Sequence, residues 1–219
     1  PLKGCEDKVL YVWFDAVLGY ISASKEWAIA NGTADLWKNY WNDRGTKYVA
    51  FIGKDNVVFH CIVFPAMLMA WNAHSTDQYI LPENVPANEF LNFEGEKFSK
   101  SRGWGIVVDD FLTEFSAYTL RYTLTMTLPE SRDADFTWKE YQARTNNELA
   151  DILGNFVNRA VTFVQRNYQG TLPPCAALMP LDRELIARIE STSAEAGKYI
   201  EKYRFRDALL EIMNLARFA

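Results

Sequence analysis

Lys97-Phe98-Ser99-Lys100-Ser101 sets two lysines and two hydroxyls around one aromatic ring within five residues. Glu94-Gly95-Glu96 precedes it and Arg102-Gly103 follows. Glycine admits positive φ, so Gly95 and Gly103 let the backbone bend on either side of the stretch. A lysine ammonium is a compact point charge on a flexible stem, suited to reaching a phosphate. Two of them, with Ser99 between, are suited to stabilising the charge that develops on departing phosphates. A bare Lys-x-x-Lys is most often a solvated loop, so the flanking sequence has to decide between the two readings.

Upstream, Val9 to Phe14 is a short β-branched and aromatic run, the pattern of a buried strand, ended by Asp15-Ala16. After Gly19 a helix is expected from about Tyr20 to Ala30, closed by Asn31-Gly32. This places Trp13, Asp15 and Tyr20 at the carboxyl end of a strand, where open α/β sheets bind their ligands. Core packing is the ordinary role for Trp13 and Tyr20. Leu36 to Asp43 is amphipathic, and Lys47 to Gly53 reads as a second buried strand. Lys54-Asp55-Asn56 then opens an apolar helix from Val57 to Ala70, kinked at Pro65. Strand, glycine, polar turn and helix is the geometry that seats an anion or nucleotide. Gly53 lets a ligand approach the backbone, and Asp55 can accept from ribose hydroxyls or cap the helix. His60, among Phe59, Cys61 and Ile62, is a lone histidine on an apolar face, more often a satisfied core residue than a catalyst. Gln78 to Leu81 reads as a third strand and Pro82 to Pro86 as a loop. Residues 87–98 form a hairpin turning at Glu94-Gly95.

Downstream, helices are expected from about Asp109 to Phe115 and from Ala117 to Leu128, the latter stopped by Pro129. Pro129 to Phe136 is a polar connector, and the domain boundary is drawn there: 1–129, then 130–219. Beyond it the spacing is helical throughout. Thr137 to Asn167 puts Leu149, Ile152, Leu153, Phe156, Ala160, Phe163 and Val164 on one face. Asn155, Asn158, Thr162 and Arg166 form a second, polar stripe that is either a solvated face or a surface reading bases and phosphates. Leu181 to Tyr199 and Arg204 to Phe218 complete a helical bundle. The fold class is therefore α/β followed by an all-α bundle.

Composition narrows the classes. At 219 residues, 49% hydrophobic and 15% aromatic, the chain is globular. A net charge of −5 excludes global attraction to nucleic acid, so RNA binding has to come from a local basic stripe. Cys5, Cys61 and Cys175 are too far apart for a Cys-x-x-Cys metal pair and suggest a reduced, intracellular setting. No secretory pattern and no charge-free apolar run of spanning length is present, so no membrane is expected. The start at Pro1 and the finish inside a helical pattern suggest a piece of a longer protein.

Four motifs in order resemble the methionyl-tRNA synthetase family of class I aminoacyl-tRNA synthetases. Lys97 to Gly103 is similar to its mobile Lys-Met-Ser-Lys-Ser signature loop, with Phe98 for Met. Trp13-Phe14-Asp15-Ala16 with Gly19-Tyr20 resembles its Trp-(Phe/Leu)-Asp-Ala-Pro-Ile-Gly-Tyr, with Val17-Leu18 for Pro-Ile. Phe51-Ile52-Gly53-Lys54-Asp55-Asn56 with Phe59-His60 resembles its Phe-Ile-Gly-Lys-Asp block, and Asn147 to Arg159 the first anticodon-domain helix. The resemblance implies that the α/β part is a partial Rossmann-type nucleotide-binding domain. Trp13, Ala16, Tyr20 and His60 are then implied to line a methionine pocket, where a thioether packs on aromatic edges. It implies Gly53 and Asp55 at the ATP ribose, Lys97, Ser99 and Lys100 at the phosphates, and Lys97 and Lys100 as catalytic cations. Asn158 and Arg166 are implied on the anticodon-reading helix. Thr162 stands where some members carry an anticodon-contacting Asn. The partners implied are methionine, ATP with Mg²⁺ and tRNA(Met), in the cytoplasm. Zinc is expected only in a part of the family fold outside these residues.

The function expected is methionine activation and transfer to tRNA by the full-length protein, a ligase. The family's His-x-Gly-His is not found; His60 and His74 are the two histidines. The isolated 219 residues are therefore expected not to form the adenylate. A non-catalytic tRNA-binding or structural piece, or another class I synthetase, are the alternatives. Oligomeric state has no signal in the sequence.

Overall fold

The computed structural model describes residues 3–9 and 11–219, and the side chains of Trp13 and Phe14 fall outside the described set. The chain forms two compact units, Pro1–Glu89 and Phe90–Ala219.

In the first unit, α1 (Trp13–Ala16) and α2 (Gly19–Ala30) are followed by α3 (Lys38–Trp41). The strand expected over 9–14 does not form; its described part ends in α1. No strand among the described residues pairs with this run. A parallel strand takes its ladder from neighbours, and here the backbone bonds locally instead, Ala16 N–H to Val12 C=O at 3.0 Å. The second strand forms as two short pieces, β1 (Tyr48–Val49) and β2 (Ile52–Gly53). Each pairs in parallel with a later strand: β1 with β3 (Pro82–Asn84), and β2 with β4 (Ala87–Asn88).

The third strand thus begins at Pro82, where a loop was expected, and Gln78 to Leu81 is not a strand. Asparagine side chains take over that backbone. Asn42 donates to Gln78 C=O at 2.9 Å, and Asn72 both donates to Tyr79 C=O and accepts its N–H at 2.8 Å. Ile80 N–H donates to Trp41 C=O at 2.8 Å.

A tight turn, Lys54–Asn56, leads from β2 into a π-helical turn, Phe59–Val63, and then α4 (Phe64–Asn72). Pro65 sits in the first turn of α4, where its missing N–H costs nothing, and the widened turn before it absorbs the ring. The core of this unit gathers Val17, Ile21, Trp41, Phe64 and Leu68. Phe64 is fully buried, worth roughly 2–3 kcal/mol relative to exposure.

In the second unit, β5 (Leu91–Phe93) and β6 (Glu96–Lys97) form the expected hairpin. Helices α5 (Val108–Glu114) and α6 (Ala117–Met126) follow, the latter capped by the Ser116 hydroxyl. The connector 129–136 carries β7 (Ala134–Phe136), which pairs in parallel with β5, so the sheet runs β6-β5-β7. The connector therefore lies inside the second compact unit, at a different place from the division between the two units. Behind the sheet, Phe93, Phe111, Phe136 and Tyr141 make one aromatic core.

From Trp138 the chain is helical to Tyr168: α7 (Trp138–Ala143), a π-helical stretch Arg144–Gly154, and α8 (Asn155–Tyr168). Helices α9 (Pro180–Glu201) and α10 (Phe205–Phe218) pack on each other across a short turn with Tyr203 at φ 60°. Met213 of α10 meets Tyr122 and Met126 of α6, with Leu149, Ile152 and Leu153 around them.

Candidate functional site

The expected site residues fall in both compact units, and each group is built by its own local chemistry.

In the first unit, Tyr20 on α2 and His60 in the π-helical turn come together. His60 is buried, 3% exposed. Its Nδ1 lies 3.0 Å from the Asn56 carbonyl, which can only accept, so Nδ1 carries the proton. Nε2 is then the acceptor, and the Tyr20 hydroxyl donates to it at 2.9 Å. The buried imidazole is satisfied on both sides and held in one tautomer. Tyr20 keeps roughly half of its surface exposed above it. A half-exposed phenol over a fixed imidazole offers an aromatic wall with one polar atom, chemistry suited to a small apolar side chain.

Ala16 is exposed at the end of α1. The side chain of Trp13 lies outside the described residues. Val17, which departs from the resembled motif, packs in the core at 2% exposure, against Ile21 and Phe64. The change is thus a packing change in the core.

Gly53 has an extended conformation, φ −83° and ψ 153°. A Cβ on it would stand 3.0 Å from Asp55 Oδ1, so the glycine makes room for that carboxylate. Asp55 makes no cap to the turn it sits in. It is exposed, and its Oδ1 accepts from Asn56 Nδ2 at 3.3 Å. Lys54 pairs with Glu89 at the end of the same unit.

In the second unit, the lysine stretch is a hairpin pinned at its base and open at its tip. Ser99 and Trp104 exchange both backbone hydrogen bonds, 2.9 and 3.0 Å. The Trp104 indole N–H donates to Phe93 C=O at 3.1 Å. Phe98 stacks on Phe93 with centroids 5.9 Å apart. Gly105, at φ 152°, leaves the space that ring needs. The tip is a turn closed by Gly103 N–H to Lys100 C=O at 3.2 Å, with Gly103 at φ 63°. Lys97 lies over the Phe90 ring at 5.6 Å. Lys100 is exposed and has no ion-pair partner among the described residues. Ser99 and Ser101 bond to each other at 3.2 Å, and Arg102 pairs with Glu96.

Asn158 and Arg166 are both exposed on α8, and Thr162 between them donates to Asn158 Oδ1 at 3.4 Å. The polar stripe is therefore one continuous helix face. Deeper in the same unit, Arg144 bridges Glu140 and Glu148, and the buried Tyr122 hydroxyl donates to Glu148. Burial, then that bond, pushes the Tyr122 phenol well above its ordinary range. Sequence reasoning missed Trp104 and this network; neither carries a local pattern.

Among the described residues, no group of three or more His, Cys, Asp or Glu side chains converges as a metal site. No helix among the described residues is long and apolar enough to cross a membrane.

A family model described as "tRNA synthetases class I (M)" matches residues 1–161. A methionine–tRNA ligase of Chloroherpeton thalassium is 53% identical over all of this chain, and one of Bacteroides fragilis is 50% identical over 99% of it. The chain belongs to the methionyl family of class I tRNA synthetases. It spans 31% of the length of both of these methionyl relatives. A solved Mycobacterium tuberculosis methionyl-tRNA synthetase, bound by methionyl-adenylate, superposes with a TM-score of 0.80 at 25% identity. That match covers 96% of this chain and 39% of the solved one. The α/β architecture, with a helical bundle after a Rossmann-type part, is thus that of the methionyl synthetases. Within the family, Phe98 in place of the signature methionine has a visible role, since its ring ties the hairpin to Phe93.

Proposed function

We propose that the full-length protein carrying this chain is a methionine–tRNA ligase. It activates methionine with ATP and transfers it to tRNA(Met). The observation that carries this is the pinned hairpin presenting Lys100, an exposed ammonium with no ion-pair partner among the described residues. A cation held this way is ready for charge that appears only during the reaction.

The methionine carboxylate attacks the α-phosphorus of ATP in line. The α–β phosphoanhydride bond breaks, and pyrophosphate leaves with the bonding pair. Little covalent chemistry falls to the protein, so positioning and charge stabilisation dominate. Lys97 and Lys100 meet the charge on the leaving pyrophosphate, with Ser99 donating beside them. Mg²⁺ travels with the ATP phosphates. Gly53 and Asp55 receive the ribose, Asp55 with an exposed carboxylate that accepts from hydroxyls. Tyr20 and His60, with Ala16 and Trp13, form the side-chain pocket. The acyl group then passes to the tRNA 3′ end. Asn158 and Arg166 meet the anticodon. On this reading residues 1–129 belong to the catalytic half and 130–219 begin the anticodon-binding domain, in a protein working in the cytoplasm.

Methionine-dependent ATP–pyrophosphate exchange tests this in the full-length protein. Lys100→Ala lowers kcat by roughly 10²-fold, the scale of losing one transition-state charge contact, and leaves the methionine KM nearly unchanged. An undiminished exchange rate in that variant rules the proposal out.

A further inference from the structure

The turn that feeds the lysine hairpin is clamped from outside the hairpin. Glu94 and Gly95 are the two residues linking β5 to β6, both at positive φ, 50° and 81°. This is the twist-matched two-residue hairpin turn, and such turns ordinarily leave their backbone N–H groups to water. Here they reach past β5 to the junction of β7 and α7. Gly95 N–H donates to Asp135 Oδ2 at 2.9 Å, and Glu94 N–H to Phe136 C=O at 3.1 Å. In return Glu94 Oε1 accepts the Trp138 N–H at 2.8 Å, at the first turn of α7. Three hydrogen bonds therefore tie a two-residue turn to a rigid support, since Phe136 and Tyr141 lie in the aromatic core.

Two features argue that this arrangement serves more than stability. A glutamate in the left-handed region costs about 1 kcal/mol, which a glycine there would avoid. The glutamate side chain is nevertheless what reaches Trp138. Asp135 Oδ1 is buried with no hydrogen-bond partner, a loss of solvation that an apolar or smaller residue would not carry. Strand β6 bonds only to β5 within the sheet, so its direction depends on its turn. That strand ends in Lys97, three residues before Lys100.

We infer that Asp135 and Glu94 are positioning residues for the signature lysines: they set the direction of β6, and through it where Lys97 and Lys100 stand during adenylate formation. This rests on the proposed ligase function. Neither carboxylate touches substrate; both act through the hairpin. Removing the clamp lets the lysines drift by a fraction of their reach, and a misplacement of about 1 Å in a positioned group can cost up to about 10²-fold in rate.

The test is pyrophosphate exchange with the full-length protein. Asp135→Ala is expected to lower kcat by about ten-fold, with the methionine KM within about two-fold. Asp135→Asn, whose amide oxygen still accepts the Gly95 N–H, recovers most of the rate. The deciding measurement is the double variant with Lys100→Ala. If the clamp acts through the lysines, Asp135→Ala costs clearly less in the Lys100→Ala background, where only Lys97 is left to misplace, than the roughly ten-fold it costs alone. Losses that multiply in full overturn the inference and leave the ligase reading standing. A wild-type rate in Lys100→Ala alone overturns that reading, and the inference with it. Glu94→Ala, on the turn itself, gives the same comparison should Asp135→Ala fail to fold. Full multiplication there overturns the inference equally.

Discussion

The phenol of Tyr20 donates to Nε2 of His60 at 2.9 Å, across forty positions of sequence. The Asn56 carbonyl cannot donate, so Nδ1 holds a proton, and in the singly protonated ring Nε2 is left as the acceptor. Removing the donor therefore leaves a buried acceptor without a partner.

Tyr20→Phe is expected to destabilise the protein by roughly 1–3 kcal/mol, the cost of an unsatisfied buried polar atom. In the full-length protein it also raises the methionine KM more than it lowers kcat, because a binding wall is lost and no charge contact is. Denaturant titration and steady-state exchange kinetics read the two effects. Unaltered stability would mean that water replaces the phenol without loss.

Gly53→Ala brings a Cβ to 3.0 Å from Asp55 Oδ1. The backbone there is extended, so the chain tolerates alanine and the carboxylate is what gives way. The expected result is a higher ATP KM, by about ten-fold for one displaced hydrogen-bonding group, with the methionine KM held. An ATP KM equal to wild type removes Asp55 from the ribose contact.

Gly105→Ala puts a Cβ 2.6 Å from Phe98 Cδ1 and places a side chain at φ 152°. The ring has to leave Phe93, and the hairpin loses its stack. A stability loss of roughly 1–3 kcal/mol is expected from overpacking and backbone strain together. Urea unfolding measures it; a midpoint and slope equal to wild type would show that the ring moves freely.

Tyr48 packs against Trp41 and Phe64, and burial, then the nearby Tyr20, pushes its phenol from 10.0 up to about 12. The folded chain holds this proton to higher pH than the unfolded chain does. Stability from burying the neutral phenol is complete below about pH 10 and is lost as pH climbs toward about 12. Tyr48→Phe has no such proton to lose. The Tm difference between wild type and variant should therefore move in favour of the variant between about pH 9 and about pH 11. A constant difference across that range contradicts the assignment.

Much of the architecture was legible because it is governed by neighbours in sequence. The Glu94-Gly95 turn follows from glycine's freedom and strand alternation. The helices from Thr137 onward follow from apolar spacing at 3.6 residues, and the stop before Pro129 from a missing N–H. The paired lysines, Gly53-Asp55 and the Tyr20 and His60 positions were visible as residue types at given spacings.

What the linear chain left open was decided by partners distant in sequence. Val9 to Phe14 has strand composition, yet a strand needs a neighbour, and α1 forms where none of the described residues pairs with it. Gln78 to Leu81 has the same composition, and the side chains of Asn42 and Asn72 claim its backbone first. The Asp135 carboxylate reads as part of a polar connector until β7 lies beside β5 and brings it to Gly95. Residue type and spacing determine which groups a chain can offer. Only the paired strands and packed rings determine which groups meet, because hydrogen bonds form or fail within tenths of an ångström.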